Sequence, residues 1–354
     1  MKINATGLLL CTFLVGCGGT APFGDPDADT GGEDGGIVRE GLPPGTESPS
    51  STEALFRSEP TEAAGGKPGD GFARNIQYDG STDTFIVDNL AFDGGVYQRG
   101  TAVSSLNNGT FAVYEADQQF EDTITSDPIN QLRHRAIYGV SRNLDANGNP
   151  ETQFAIVRTG SYIPYGFGGF IYERENGVEL PSSGQAQFTG RAAGLRDFDG
   201  SGGLQYSTGD VEIAIDFDDF NEATGARGDG VKGSLTNRKV FALDGTEITA
   251  DVVGMINTNN NADIVGIPNA VFTIGPGVLD ENGDLVGEIT STFVSVDGAA
   301  VEYETGKYYA IVSGDTPDEI VGIMVLENSA EIQGVTTRDT SGFIVYRDGD
   351  IVTP

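Results

Sequence analysis

The chain predicts an all-β fold, an antiparallel sandwich or barrel, and three observations carry the prediction. From about Phe72 onward, short alternating runs such as "TDTFIVDNLAF", "GTFAVYEA", "TQFAIVRTG" and "VEIAIDFDDF" are separated by Gly, Asn and Asp. The runs have strand length and the dipeptides between them form turns. Gly fills 52 of 354 positions without a collagen period and Trp is absent, a composition of many turns and short strands. No long window repeats apolar residues at helical spacing without a nearby Gly or Pro. Ten or more strands at hairpin spacing point to a sandwich or a barrel.

The first element is not part of that fold. An apolar run, Gly7 to Gly16, follows Lys2 and stops at Cys17. A transmembrane helix needs roughly 20 apolar residues, so the run has the length of a secretory signal core instead. Leu14-Val15-Gly16-Cys17 resembles the bacterial lipobox, in which the Cys is acylated and becomes the first residue of the mature protein. That resemblance implies a signal peptide over 1–16, lipid attachment at Cys17 and a bacterial source. Two or more acyl chains hold a protein firmly where one does not. Gly18 follows, where an Asp would mark retention in the inner membrane, so the anchor is expected in the outer membrane. Cys11 lies in the discarded stretch, which leaves a mature chain without disulfides, dependent on its apolar core.

Residues 17–70 read as a tether. "GDPDADTGGEDGG", "LPPGTESPSSTEA" and "EPTEAAGGKPGDG" are Gly, Pro, Ser, Thr and acid, too poor in large apolar groups to offset the entropy of ordering. A Gly-rich coil of this length reaches roughly 40 Å root-mean-square. Its prolines and mutually repelling acids extend it further.

Charge narrows the partners. Acidic residues number 53 against 20 basic ones, a formal net charge of −33. Nucleic acid is excluded by that balance, because phosphate contacts need clustered Lys and Arg. Only five residues are Lys (Lys2, Lys67, Lys232, Lys239, Lys307). The acidity keeps the chain soluble and fits a monomer from salty surroundings, with acidic ligand binding as the alternative.

The later strands carry a second resemblance. "YGFGGFIYERENGVELPSSGQAQFTGRAAGLRDFDGSGGLQYSTGDVEIAIDFDDF", then "GSLTNRKVF", then "DTSGFIVYR" present a Pro-small-Gly turn, an aromatic-Thr-Gly strand end, a Gly-rich turn and an alternating strand ending Asp-Phe. This pattern resembles the barrel domain of the transferrin-binding protein B family, over roughly residues 150–354. The resemblance implies an eight-stranded antiparallel β-barrel, expected over 176–354, preceded by a small antiparallel β handle-like domain over 71–175. It also implies a lipid-anchored surface protein that engages an extracellular protein through loops. The chain has one such unit, where the two-lobed transferrin receptors have two.

Val211, Ile213, Ile215 and Phe217 alternate onto one face, with Glu212, Asp216 and Asp218 on the other, the pattern of an apolar interior and a solvated exterior. "DANGNPE" and "DENGDL" each carry Asn-Gly, a hairpin signal. In "RDFDGSGGLQYST", Asp197, Asp199, Ser201 and Gly202 match the opening of a calcium loop, but Thr208 stands where a bidentate Glu is needed, so a hairpin turn is expected and no metal. His134, the one His, sits between Arg133 and Arg135 and reads as part of a solvated strand face. Without a second His, a nucleophile elbow or a Walker loop, the chain reads as non-catalytic and free of cofactors. "SYIPYGFGGFIYE" places Tyr162, Tyr165 and Phe167 among glycines, a candidate ligand-binding set, since aromatics on a rigid turn anchor protein partners. Asn108-Gly109-Thr110 is a formal glycosylation acceptor that a bacterial chain would not use.

The expected function is therefore capture of a macromolecule or cargo at the cell envelope, with iron or haem acquisition as the class the family implies. The alternatives are a carrier of a small apolar ligand inside the barrel, and a purely structural acidic surface lipoprotein. Bulky inward residues favour a filled barrel over a carrier.

Overall fold

The structure, a computed structural model, describes residues 38–40 and most of 55–350. Outside the described residues lie 1–37, 41–54, 117–119, 122–127, 130–133, 161–167, 218–219, 222–225, 228–229, 274–277, 351–354 and the single positions 68, 72, 90, 91, 147, 149 and 281. Cys17 and the candidate aromatics Tyr162, Tyr165 and Phe167 all fall there.

The fold is all-β with one helix, built as a curled sheet followed by a closed barrel. The curled sheet uses β1 (Val38–Glu40), β2 (Leu55–Ser58), β3 (Arg74–Asp79), β4 (Thr84–Asn89), β5 (Phe92–Arg99), β6 (Ser105–Leu106), β7 (Phe111–Ala116), β10 (His134–Val140), β11 (Thr152–Thr159) and β12 (Gly168–Arg174). Two further short strands, β8 (Phe120–Glu121) and β9 (Pro128–Ile129), pair with each other. The order is β1-β3-β4-β5-β7-β10-β11-β12-β2, with β6 added beside β7. All its pairs are antiparallel except β1 with β3. The face turned away from the barrel buries Ile76, Tyr78, Phe85, Val87, Tyr114, Tyr138 and Val157 in a core of its own. Asp83 closes that core's edge by accepting from Tyr114 (2.9 Å), Tyr78 (3.2 Å) and Arg99 (3.2 Å).

The barrel closes in the order β13 (Gln185–Asp199), β14 (Leu204–Asp216), β17 (Val231–Phe241), β18 (Ala270–Phe272), β19 (Asp284–Val294), β20 (Ala300–Ser313), β21 (Glu319–Asn328) and β22 (Thr336–Arg347). The short pair β15 (Phe220–Asn221) and β16 (Ala226–Arg227) lies outside it. β13 meets β22 from Phe188↔Arg347 to Asp199↔Thr336 and closes the ring, while the three-residue β18 pairs with only two residues of β17 and three of β19. The alternation read from the sequence sets the inside: Val211, Ile213, Ile215 and Phe217 point inward with Phe188, Phe272, Tyr308 and Phe343. Glu212, Lys232 and Glu288 face outward and are exposed. This is the reverse of a membrane barrel, whose apolar side chains face lipid. Eight strands enclose a space that side chains fill, and here they do.

The two layers meet over a continuous apolar seam. Phe111, Ile137, Phe154, Ile156 and Phe170 of the curled sheet pack on Leu195, Ile311, Val321, Ile323 and Ile344 of the barrel's outer surface. Phe154 is the closest insertion: a Cβ added to Gly139 on its own side, or to Gly342 on the barrel, would collide with its ring. The run "EIVGIMVLEN" is apolar on both faces for this reason, since Ile320 and Met324 look inward while Val321 and Ile323 meet the sheet.

Three expectations are corrected. Residues 55–70, read as the end of the tether, belong to the fold: Leu55–Ser58 pairs with β12, and Glu59 and Asp70 are buried at the sheet–barrel seam. Their acids answer buried arginines, a reason composition does not reveal. A helix, α1 (Thr249–Asn260), stands where no helical window was read. Gly254 interrupts its sequence and the apolar set is narrow, Val252, Val253 and Ile256, which close one end of the barrel with Val240, Phe293 and Tyr303. His134 and Arg135 are buried, not a solvated face; His134 lies edge-on to Tyr97.

Candidate functional site

Charged side chains hold the sheet to the barrel. Arg158 continues the seam-facing parity of Phe154 and Ile156 and is fully buried. It donates to Glu59 at 2.6 Å and stands 3.6 Å from Asp70. Asp70 in turn accepts from Arg338 of β22, which also pairs with Asp197 at 2.9 Å. Glu59 accepts as well from the Gly71 amide, 3.2 Å. Carboxylates and guanidiniums thus alternate from the segment after β2, through the sheet, into the barrel. Each lies where an unpaired charge would cost several kcal/mol. A second contact uses Glu319, which accepts from Thr152 Oγ1 (2.6 Å) and Ser141 Oγ across the seam. No cation pairs with it among the described residues, and burial pushes its carboxyl up to about 8 against the pull of those hydroxyls, with Glu151 and Asp318 adding repulsion.

Inside the barrel, the end beneath α1 is polar. Arg196, Arg238, Glu304, Asp339 and Asn328 occupy inward positions and are buried. Arg238 grips Glu304 through both nitrogens, the longer contact 3.1 Å. Glu331 accepts from Arg196, Tyr303 (2.5 Å) and Asn328 (3.1 Å). Burial raises the Glu331 carboxyl, but Arg196 and Tyr303 outweigh it and hold the group below the usual range. A cavity of about 10 Å³ beside Arg196, Ser207, Asp339 and Ser341 has room for a single water.

The open space lies outside the barrel. A cleft of about 650 Å³ separates the loop 102–108 of the curled sheet from the outer surface of β13, β14 and β17. The loop touches the barrel at both ends of this span. Val103 meets Gly245, where an added Cβ would stand 3.1 Å from Val103 Cγ2, and Asn107 Nδ2 donates to the Ala192 carbonyl. Between those contacts the floor presents Arg191, Asp210 and Asn237 across three neighbouring strands, then Lys239 and Glu247. A register shift between Thr208 and Asp210 sets this row. Asn107, Asn108 and Asn237 hold left-handed backbone, φ 50°, 60° and 48°, a conformation Asn tolerates better than most residues. Asn237 Nδ2 donates to Asp210 at 2.7 Å, and Lys239 pairs with Glu247 at 3.0 Å. Arg191 is exposed and forms no ion pair or side-chain hydrogen bond with the described residues.

No protein-family model matches the chain, and no curated protein does. Among solved structures it is similar to transferrin-binding protein B from Haemophilus parasuis Hp5. One substituted form is 12% identical over 73% of this chain and 40% of its own, TM-score 0.34. A doubly substituted form is 10% identical over 75% and 48%, TM-score 0.34. Ail of Yersinia pestis, bound to the heparin analogue sucrose octasulfate, is 10% identical over 48% of this chain and all of its own, TM-score 0.15. The chain spans less than half the length of the transferrin-binding proteins it matches.

The other residues singled out by sequence are placed as follows. Asp197 belongs to the ion pair with Arg338, and Asp199 to Leu204 form the turn between β13 and β14. At the two Asn-Gly stretches, bridges join Leu144↔Pro150 and Leu279↔Leu285, and Gly148 and Gly283 hold left-handed backbone. The cleft residues went unread in the sequence. Arg191, Asn237 and Lys239 are ordinary outward positions of strands, and only the loop 102–108 folding across them makes a site.

Proposed function

We propose that the chain is a lipid-anchored binding protein of the bacterial cell envelope, held through Cys17 and displayed at the surface, which captures a ligand without transforming it. The observation that carries this reading is the cleft of about 650 Å³ between two layers locked together by buried charge. The filled barrel interior supports it, because a ligand has to bind outside the barrel, and it speaks against a carrier of small apolar molecules. The cleft offers hydrogen-bond donors and acceptors side by side. Attachment is assigned to Cys17, the last residue of the lipobox-like Leu14-Val15-Gly16-Cys17. Labelling cells with radioactive palmitate tests the anchor. The chain should incorporate label and fractionate with membranes, and Cys17→Ala should abolish both. An unlabelled wild-type chain would overturn it. Iron or haem cargo is a separate matter: absence of binding to transferrin, haemoglobin and haem would remove that class and leave the rest standing.

A further inference from the structure

Resting on that reading, we propose that the cleft between loop 102–108 and the barrel is a saccharide-binding site, selective for neutral oligosaccharides. The floor alternates donors and acceptors. Arg191 offers donors, Asp210 accepts, Asn237 does both, Lys239 donates and Glu247 accepts. A sugar hydroxyl donates one hydrogen bond and accepts others, so a pair of adjacent hydroxyls is matched by an acceptor and a donor set side by side. A peptide backbone, by contrast, is best met by the free edge of a sheet, and two of the floor's three strands, β13 and β14, are paired on both sides.

Charge decides between sugars. The two cations and two carboxylates on the floor balance, so the site has no excess of positive charge for an anion to meet. The chain around it carries −33, which repels acidic glycans. Half-buried Phe241 adds a small apolar surface for the C–H face of a ring.

Pre-organisation supports the same reading. The Asn237 amide is held by Asp210 and the Asn107 amide by the Ala192 carbonyl, so polar groups are fixed before a ligand arrives. Fixing them beforehand lowers the ordering cost of binding. The loop is tied at both ends, so the opening is a slot rather than a flap.

The test is calorimetric titration of the detergent-solubilised full chain with neutral trisaccharides of glucose, mannose and N-acetylglucosamine, and with a hyaluronan tetrasaccharide as the acidic comparison. At least one neutral trisaccharide should bind, more tightly than the acidic one. Asp210→Asn and Arg191→Gln, both surface changes, should each weaken it about tenfold at an unchanged melting temperature. No binding by any neutral sugar, preference for the acidic one, or affinity untouched by both variants would overturn the proposal. Palmitate labelling is independent of all three results: a labelled chain that binds no sugar loses only the ligand class, and an unlabelled one that binds sugar loses only the anchor.

Discussion

Glu319→Gln should flatten the dependence of stability on pH between about 4.5 and 8. Glu319 is fully buried where β21 meets the sheet, and among the described residues its carboxylate receives only the hydroxyls of Ser141 and Thr152. The groups around it do not compensate a charge. Glu151 and Asp318 are acids, Arg347 is engaged with Asp318 at 2.7 Å, and Arg142 stacks 3.9 Å over the Tyr346 ring. Burial therefore lifts its pKa from the ordinary 4.5 to about 8. The folded chain holds this proton more tightly than the unfolded chain does, so stability is full below the unfolded value and falls as pH rises towards 8. At 1.36 kcal/mol per pH unit, the loss between pH 4 and pH 9 amounts to roughly 4–5 kcal/mol. Glutamine keeps an acceptor for one hydroxyl and cannot ionise. Urea unfolding of both proteins at pH 5, 7 and 9 in about 1 M salt, where surface charges are screened within roughly 3 Å, isolates the effect. The wild type should lose several kcal/mol relative to the variant across that range, and the variant should be the more stable at pH 9. Parallel profiles would refute the reasoning.

Other perturbations address the seam and the segment before it. Glu59→Gln leaves Arg158 buried beside one distant carboxylate and should cost about 3–5 kcal/mol in urea unfolding. Removing residues 1–54 takes away, among the described residues, only the three-residue edge strand β1 and should lower the melting temperature slightly, whereas removal to residue 71 also takes away β2, Glu59 and Asp70 and should lower it by many degrees. Gly342→Ala forces a methyl group into the Phe154 ring and should cost about 1–3 kcal/mol. Phe154→Ala, which empties the same seam, should cost about 3–5 kcal/mol.

Much of the barrel is legible in the sequence because it obeys a two-residue period. Val211, Ile213 and Ile215 declare the inside of β14 unaided. Even the polar end of the interior is written in that period. Arg196 is in phase with Phe188 and Ala192, and Asn328 with Met324 and Leu326, so a charged or polar residue at an inward position marks a buried network. The same holds at the seam, where Arg158 follows Phe154 and Ile156. Composition fails where long-range pairing decides. "EPTEAAGGKPGDG" looks like solvated coil, yet Glu59 and Asp70 are drawn into the fold by arginines about 100 and 270 positions away. Helix α1 fails for the opposite reason: its three buried residues need only the barrel end to cover them, too few to make a pattern. The cleft is the least legible, since its floor and its overhanging loop are separated in sequence and neither is unusual alone.

Protease treatment of intact cells tests most directly the claim that this body is displayed outward on a lipid anchor. Cleavage ahead of β2 should release into the medium a fragment that retains both the curled sheet and the barrel, because Glu59 and Asp70 bind the two layers together. Recovery of that fragment without lysis is the predicted result. A chain that resists protease in intact cells and is cut only after the outer membrane is opened would place it in the periplasm and contradict the account.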